Sequence, residues 1–146
     1  MKKIMMLLAL FCAMAMSAQD YNSAQEALRR DISVFLLKQG ISSDNQDDGL
    51  KIKTRGVTYY IEIDKEETNP MLVCLRRYVK YSEDVQKEDV AANLNTYNAQ
   101  FGVKVLCREK AVVISAEMYV TEALQFNDVF NTLLMRMETT YESITD

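Results

Sequence analysis

The sequence predicts an α+β fold, with one antiparallel sheet of about five strands packed against three helices. Apolar residues recur at helical spacing in three segments, and five other segments alternate apolar and polar residues with period two. Their order along the chain is α-βββ-α-ββ-α. Helices covering one face of an antiparallel sheet would bury all of these apolar stripes in a single core.

The first helix is expected over about residues 23–39. Ser23 and Glu26 have the spacing of a capping box, in which two side chains satisfy backbone N–H groups at the start of a helix. Gly40 follows the periodic segment, where a left-handed cap suits a residue without Cβ. The apolar stripe consists of Leu28, Ile32, Phe35 and Leu36.

Three alternating runs follow, over residues 50–55, 57–64 and 71–81. Each has an apolar side and a polar side, which is typical of antiparallel strands joined by short turns. Pro70, the only proline, lies in the predicted turn before the third run. The apolar sides carry Leu50 and Ile52, then Val57, Tyr59, Ile61 and Ile63, then Met71, Val73, Leu75 and Val79.

A second helix is expected over about residues 83–101, followed by two strands over about 103–109 and 111–119. Only a hairpin turn fits between these strands. A third helix, over about 122–143, has the longest apolar stripe and should be the main cover of the sheet. The stripe of the second helix is Val90, Leu94, Tyr97 and Phe101, and that of the third is Phe126, Phe130, Leu133, Met137, Tyr141 and Ile144.

The first eighteen residues have the layout of a secretory signal peptide. Lys2 and Lys3 precede an apolar run, and the small residues Ser17 and Ala18 end it. The run is shorter than the roughly 20 apolar residues of a permanent membrane span. We therefore expect residues 1–18 to be cleaved and residues 19–146 to form one exported domain, in the periplasm or secreted.

Composition excludes several classes of function for this domain. Losing Lys2 and Lys3 moves the formal charge from −4 to −6, which disfavours nucleic-acid binding because phosphate requires a basic footprint. The chain has no histidine, so histidine-dependent nucleophilic catalysis and the commonest metal ligand are excluded. We expect no enzymatic activity, no cofactor and no metal.

Two acidic segments are candidate sites. Asp44, Gln46 and Asp48 occupy the first, third and fifth positions of a calcium-loop pattern, but Arg55 stands where the closing glutamate belongs. A solvated acidic turn is the preferred interpretation. The pair Glu66-Glu67 lies in a predicted exposed turn, where nothing would raise a carboxyl pKa for acid–base chemistry.

Cys74 and Cys107 are the cysteines that remain after cleavage. Cys107 shares its side of a strand with Val103 and Val105, the predicted core side. Cys74 shares its side with Arg76, the predicted outer side. Cysteines on opposite faces of one sheet cannot reach bridging distance, so we expect no disulfide between them.

The chain resembles the YbjN-like proteins, whose fold is similar to that of the type III secretion chaperones. The resemblance covers nearly all of residues 19–146. It rests on the element order and on three segments: Asp48-Gly49-Leu50, Asn93-Leu94-Asn95, and Phe101-Gly102-Val103-Lys104-Val105. It implies a small α+β domain that binds proteins or dimerises, without catalysis. Secretion chaperones act in the cytosol, whereas this chain carries an export signal.

The polar side of the predicted sheet is the candidate binding surface. Basic and aromatic residues alternate there, and such residues supply most of the binding energy in protein interfaces. The alternative is an ordinary solvated face, with Lys53 or Arg76 paired to Glu62 across strands. The candidate residues are Lys53, Arg55, Tyr60, Leu72, Arg76, Tyr78, Lys80, Lys104, Leu106 and Arg108.

The leading functional hypothesis is a non-enzymatic, exported protein-binding or chaperone-like module that contacts a protein partner or a second copy of itself as a homodimer. A structural or self-associating component of the cell envelope is the alternative. An enzyme of unrecognised type ranks last, because no nucleophile–base pair is visible in the sequence.

Export should cleave the chain after Ala18, at the end of the apolar run. Cleavage after Ala15 is the competing outcome, because Ala13 and Ala15 match the small-x-small pattern better. The intact mass of the exported protein distinguishes the two sites. A mass that still contains residues 1–18, or a lipid adduct on Cys12, would contradict the prediction.

Overall fold

A computed structural model of the chain describes residues 20–99 and 102–146, so the predicted signal peptide lies outside the described residues. Within them the fold is α+β, as predicted, with six strands and four helices. The strands are β1 Ser43–Gln46, β2 Gly49–Thr54, β3 Val57–Thr68, β4 Met71–Lys80, β5 Lys104–Cys107 and β6 Ala111–Val120. The helices are α1 Ser23–Lys38, α2 Lys87–Ala92, α3 Leu94–Tyr97 and α4 Ala123–Thr145.

All six strands form one antiparallel sheet in the order β1-β2-β3-β4-β6-β5. Short turns connect β1 to β4 in sequence, and another short turn connects β5 to β6. The pairing of β4 with β6 joins these two parts, with Met71 opposite Val120 at one end and Lys80 opposite Ala111 at the other. The helices α2 and α3 lie between the two parts in sequence.

The predicted faces of the strands are confirmed. In β2, Leu50 and Ile52 are buried while Lys51 and Lys53 are exposed. The same alternation runs through β3 and β4, and the buried side of the sheet packs against α1 and α4. The core members from these two strands are Tyr59, Ile61, Ile63, Met71, Val73 and Leu75.

Aromatic rings hold α1 and α4 together above the sheet. Phe126 and Phe130 of α4 are completely buried, and their ring centres are 5.7 Å apart. The ring of Phe35 in α1 meets Phe130 edge to face at 5.8 Å. The buried positions of α4 follow the predicted stripe except at two places. Leu134 is buried and Leu133 is only partly buried, and Thr140 is buried where Tyr141 is only partly buried.

The N-cap of α1 lies one residue earlier than predicted. Its N-cap is Asn22, whose side-chain oxygen accepts hydrogen bonds from the backbone N–H groups of Ala24 and Gln25, both at 2.9 Å. Gln25 returns the contact by accepting from the N–H of Asn22, also at 2.9 Å. A capping box therefore forms, as predicted, but with Asn22 and Gln25 in place of Ser23 and Glu26.

The predicted second helix is two short helices, and its prediction was wrong in length. Asn93 ends α2 and begins α3, and its side-chain amide donates to the carbonyl of Asp89 at 2.9 Å. Asparagine competes with helical backbone in this way. Ser82 and Val85 exchange backbone hydrogen bonds ahead of α2, which delays the helix start to Lys87. Phe101, the last residue of the predicted stripe, lies outside the described residues.

Strand β1 was not predicted. Residues 44–49, for which the sequence predicts a solvated acidic turn, belong to an antiparallel hairpin in which Gln46 pairs with Gly49 and Asp44 pairs with Lys51. Asp47 and Asp48 form its two-residue turn. Gly49 is required there because its φ is +144° and a Cβ would lie 1.9 Å from the carbonyl oxygen of Ile61.

Tyr21 attaches the start of the described chain to the sheet. Its hydroxyl donates to the carbonyl of Ile63 at 3.1 Å. Arg29 and Lys65 lie over its ring at 5.3 and 5.4 Å from the centre. The pKa of Tyr21 is raised to about 12, mainly because the side chain is partly buried. The tyrosine therefore stays protonated, and its hydroxyl remains a donor, throughout the neutral range.

Phe130→Ala should lower the free energy of unfolding by about 3–5 kcal/mol, because it removes a fully buried ring and leaves a cavity beneath α1. Leu124→Ala is the matched control on the same helix, since Leu124 is 59% exposed, and it should stay within about 0.5 kcal/mol of the wild type. Urea unfolding of both variants measures the difference. Equal destabilisation by the two changes would contradict this account of the core.

Candidate functional site

The sheet surface that faces away from the helices is the candidate binding site, and it is called here the outer face. Strand register places its residues in rows that cross the sheet. One row runs from Lys51 through Tyr60, Arg76 and Ser115 to Lys104. The outer face consists of Lys51, Lys53, Thr58, Tyr60, Glu62, Leu72, Cys74, Arg76, Tyr78, Lys80, Lys104, Leu106, Val113, Ser115, Glu117 and Tyr119, with Arg108 directly after β5.

Two ion pairs lie on the outer face, one at its centre and one near the β5 edge. Arg76 donates to one carboxylate oxygen of Glu62, and the hydroxyl of Tyr78 donates to the other at 3.1 Å. Lys104 Nζ donates to Glu117 Oε2 at 2.7 Å. The charge of Glu62 raises the pKa of Arg76 against the opposing effect of burial, which is the larger single influence. The guanidinium is therefore a permanent cation at the centre of this surface.

Aromatic and long side chains cover small residues of β6. Tyr60 and Tyr78 meet edge to face with ring centres 5.4 Å apart. Val113 lies between Tyr78 and Leu106 in the register and is 3% exposed, although it faces away from the core. The Tyr60–Tyr78 pair and the side chains over Val113 thus form a packed part of the outer face, and such packing reduces the side-chain entropy that is lost when a partner binds.

One end of the outer face is basic. Lys80 and Arg108 flank Ala111 from the two neighbouring strands, since Lys80 pairs with Ala111 and the N–H of Arg108 donates to its carbonyl at 2.9 Å. Lys53 is exposed on the same face in β2. Among the described residues, neither these three cations nor Lys51 makes an ion pair. Their charge is available to an external carboxylate.

The structure brings nine of the ten candidate residues together on the outer face, and Arg55 is the exception. Arg55 lies in the turn after β2 with φ +52°, and its guanidinium donates to Glu138 of α4 at 3.1 Å. The turn breaks the alternation of the strand, so parity no longer predicts where this side chain lies. Arg55 links the sheet to α4 and is not part of the outer face.

The sequence offered an alternative in which Lys53 or Arg76 pairs with Glu62 across strands. That ion pair is confirmed for Arg76, whereas no ion pair joins Lys53 to Glu62. Sequence reasoning missed Glu117, Val113 and Tyr119 as neighbours of the candidate residues. Alternation along β6 contained the signal, because Val112, Ile114, Ala116 and Val120 are the core side and the residues between them face out.

Cys74 and Cys107 lie on opposite faces of the sheet, as predicted, and both are free. Burial raises the pKa of the Cys74 thiol, with Arg76 opposing and the nearby carboxylates assisting. The thiol is therefore protonated at neutral pH and is a poor nucleophile. Cys74 contributes packing volume beneath Glu62 and Glu117, which are its register partners.

An open groove of about 580 Å³ borders the outer face beside the β1–β2 hairpin. Tyr60, Glu62 and Tyr78 form one wall, and residues 45–50 form the other. Across residues 20–99 and 102–146, no three or more of His, Cys, Asp and Glu are grouped to hold a metal ion. No helix in these ranges has the length and hydrophobicity needed to cross a membrane.

Comparison with solved structures confirms the predicted YbjN-like and chaperone-like fold. YbjN from E. coli, described as a candidate transcription regulator, superposes with a TM-score of 0.52 at 17% identity, over 80% of this chain and 87% of YbjN. A chain of the HopA1-SchA chaperone-effector complex superposes with a TM-score of 0.58 at 11% identity, over 83% and 99% of the two chains. At these identities the likeness concerns the fold alone. No protein-family profile and no curated protein sequence matches the chain.

Arg76→Ala should lower the free energy of unfolding by about 1–3 kcal/mol, because Glu62 would lose its charged donor at a half-buried position. Glu62→Ala together with Arg76→Ala should cost at least about 0.5 kcal/mol less than the sum of the two single changes. Lys53→Ala is the control and should stay within about 0.5 kcal/mol, since Lys53 makes no ion pair with a described residue. Additive single changes in urea unfolding would show that the pair is not coupled.

Proposed function

We propose that this protein is an exported, non-enzymatic protein-binding module that contacts its partner through the outer face. The observation that carries the proposal is the packed Tyr60–Tyr78 layer next to cations without ion pairs among the described residues. Rigid aromatic anchors and arginine supply most of the binding energy in protein interfaces. The signal-peptide pattern supports export.

The partner segment that this surface fits is acidic. Glu62 and Glu117 are neutralised by Arg76 and Lys104, so the charge that remains on the basic end is positive. The chain as a whole is negatively charged, with a formal net charge of −4 over all 146 residues. An acidic segment would therefore be attracted to one end of the outer face and repelled by much of the remaining surface, which fixes its position.

The likeness to a chaperone-effector complex supports a protein as the ligand class, because a domain of this fold occurs there together with a protein effector. The outer face of the described residues joins packed aromatic rings to basic side chains, a combination that is enriched in protein interfaces. Both considerations agree with the protein-binding role that the resemblance to the YbjN-like proteins implies.

Tyr78→Ala combined with Lys53→Ala should weaken capture of the envelope partner by about tenfold or more, as expected for an interface anchor and its neighbouring charge. Leu37→Ala, at a 68% exposed position of α1, is the matched control and should bind like the wild type. Tagged, exported protein is cross-linked in the envelope fraction, captured and quantified at two salt concentrations. Binding should weaken as salt increases, because exposed charges are screened.

Thermal melts of each variant establish first that it is folded. If the tagged protein captures only itself, the structural or self-associating envelope component replaces the proposed function. If the Leu37→Ala control loses the partner as fully as the outer-face variant, the binding surface is on the helical side and the proposal is wrong. Retention of the whole protein in the cytosol would contradict export.

A further inference from the structure

Strand β5 ends the sheet, and part of its backbone points away from the neighbouring strand. The N–H of Arg108 donates to the carbonyl of Ala111 at 2.9 Å and closes the β5–β6 hairpin. Going back along β5 from Arg108, the residue pairs between β5 and β6 alternate between hydrogen-bonded and non-hydrogen-bonded. The backbone groups of Val105 and Cys107, which stand opposite Ile114 and Val112, therefore point out of the sheet. Such groups on an edge strand are a template for another strand.

The side chain of Asn98 occupies the Val105 part of this template. Its Oδ1 accepts the backbone N–H of Val105 at 2.6 Å, and its Nδ2 donates to the carbonyl of the same residue at 3.2 Å. A carboxamide has the same donor and acceptor as a peptide group. Asn98 thus gives Val105 the two hydrogen bonds that a residue of an adjacent strand would give.

The local fold holds Asn98 in this position. Asn98 is the C-cap that directly follows α3, and its N–H donates to the carbonyl of Leu94 at 2.9 Å. The chain then returns to β5 through Gly102, whose φ of +84° is in the left-handed region. Asn98 and Val105 are only seven residues apart, so the contact forms whenever α3 and β5 are in place.

We propose that Asn98 is an edge-closing residue, which prevents β5 from pairing with the β5 strand of a second copy of this chain. A second copy of this chain is the expected partner of an open β5 edge. Two identical edge strands can pair antiparallel about a twofold axis, and the outward backbone groups of Val105 in each copy would then bond to the β5 strand of the other. The inference does not depend on the proposed function.

The test compares Asn98→Ala with Asn95→Ala, which removes an exposed asparagine from the same short helix. In purified exported protein, hydrogen exchange of the Val105 amide should become about tenfold faster or more in Asn98→Ala and stay unchanged in Asn95→Ala. Sedimentation over a range of concentrations should show Asn98→Ala in a larger assembly than the wild type. Adding Cys107→Pro should restore the wild-type assembly, because proline removes an outward N–H from the same edge.

Unchanged exchange at Val105 in Asn98→Ala would overturn the proposal. Faster exchange without any change of assembly would also overturn it, since the edge would then be open without pairing. An assembly that persists with Cys107→Pro would assign the association to another surface and would equally refute the role of β5. If Asn98→Ala does not fold, Asn98→Ser gives the same readouts, because its hydroxyl is too short to make both bonds.

Discussion

The pairing of β4 with β6 is the constraint on which the rest of this structure depends. It is the contact through which the β1–β4 meander and the β5–β6 hairpin become one sheet, over ten residues on each strand. Its register sets both surfaces at once. On the core side it places Leu75 opposite Ala116 beneath the helices, and on the outer face it places Cys74 opposite Glu117. A shift by one residue would exchange the two faces of β6 and lose both arrangements.

Much of this architecture could be predicted because burial leaves a periodic record in the sequence. Leu50, Ile52 and Tyr59 are buried where alternation predicted them, since one face of each strand excludes water. Strand β1 has no such record: its sequence is Ser-Asp-Asn-Gln, and it is ordered through backbone pairing with β2. The break at Asn93 was equally invisible, because a side-chain hydrogen bond to Asp89 interrupts a helix whose apolar spacing continues.

The candidate site shows a different limit of sequence reasoning. Counting residues on one face predicted a basic surface, but the register brings Glu62 and Glu117 into contact with Arg76 and Lys104 and leaves only one end of the face positive. Composition alone cannot distinguish a cation that is already paired from one that is available. That distinction decides whether a residue such as Arg76 mainly stabilises the sheet or mainly binds a partner.

The closed edge at β5 and the packed outer face support the same mode of recognition. An edge strand binds any chain that can supply backbone hydrogen bonds, so an open edge would favour indiscriminate pairing. With Asn98 occupying the groups of Val105, a partner that approaches this part of the β5 edge meets a side-chain amide in place of the Val105 backbone. Side-chain contacts select by shape and charge, which the fixed Tyr60–Tyr78 pair and the basic end of the outer face both provide. Closing the edge thus makes binding through the outer face selective.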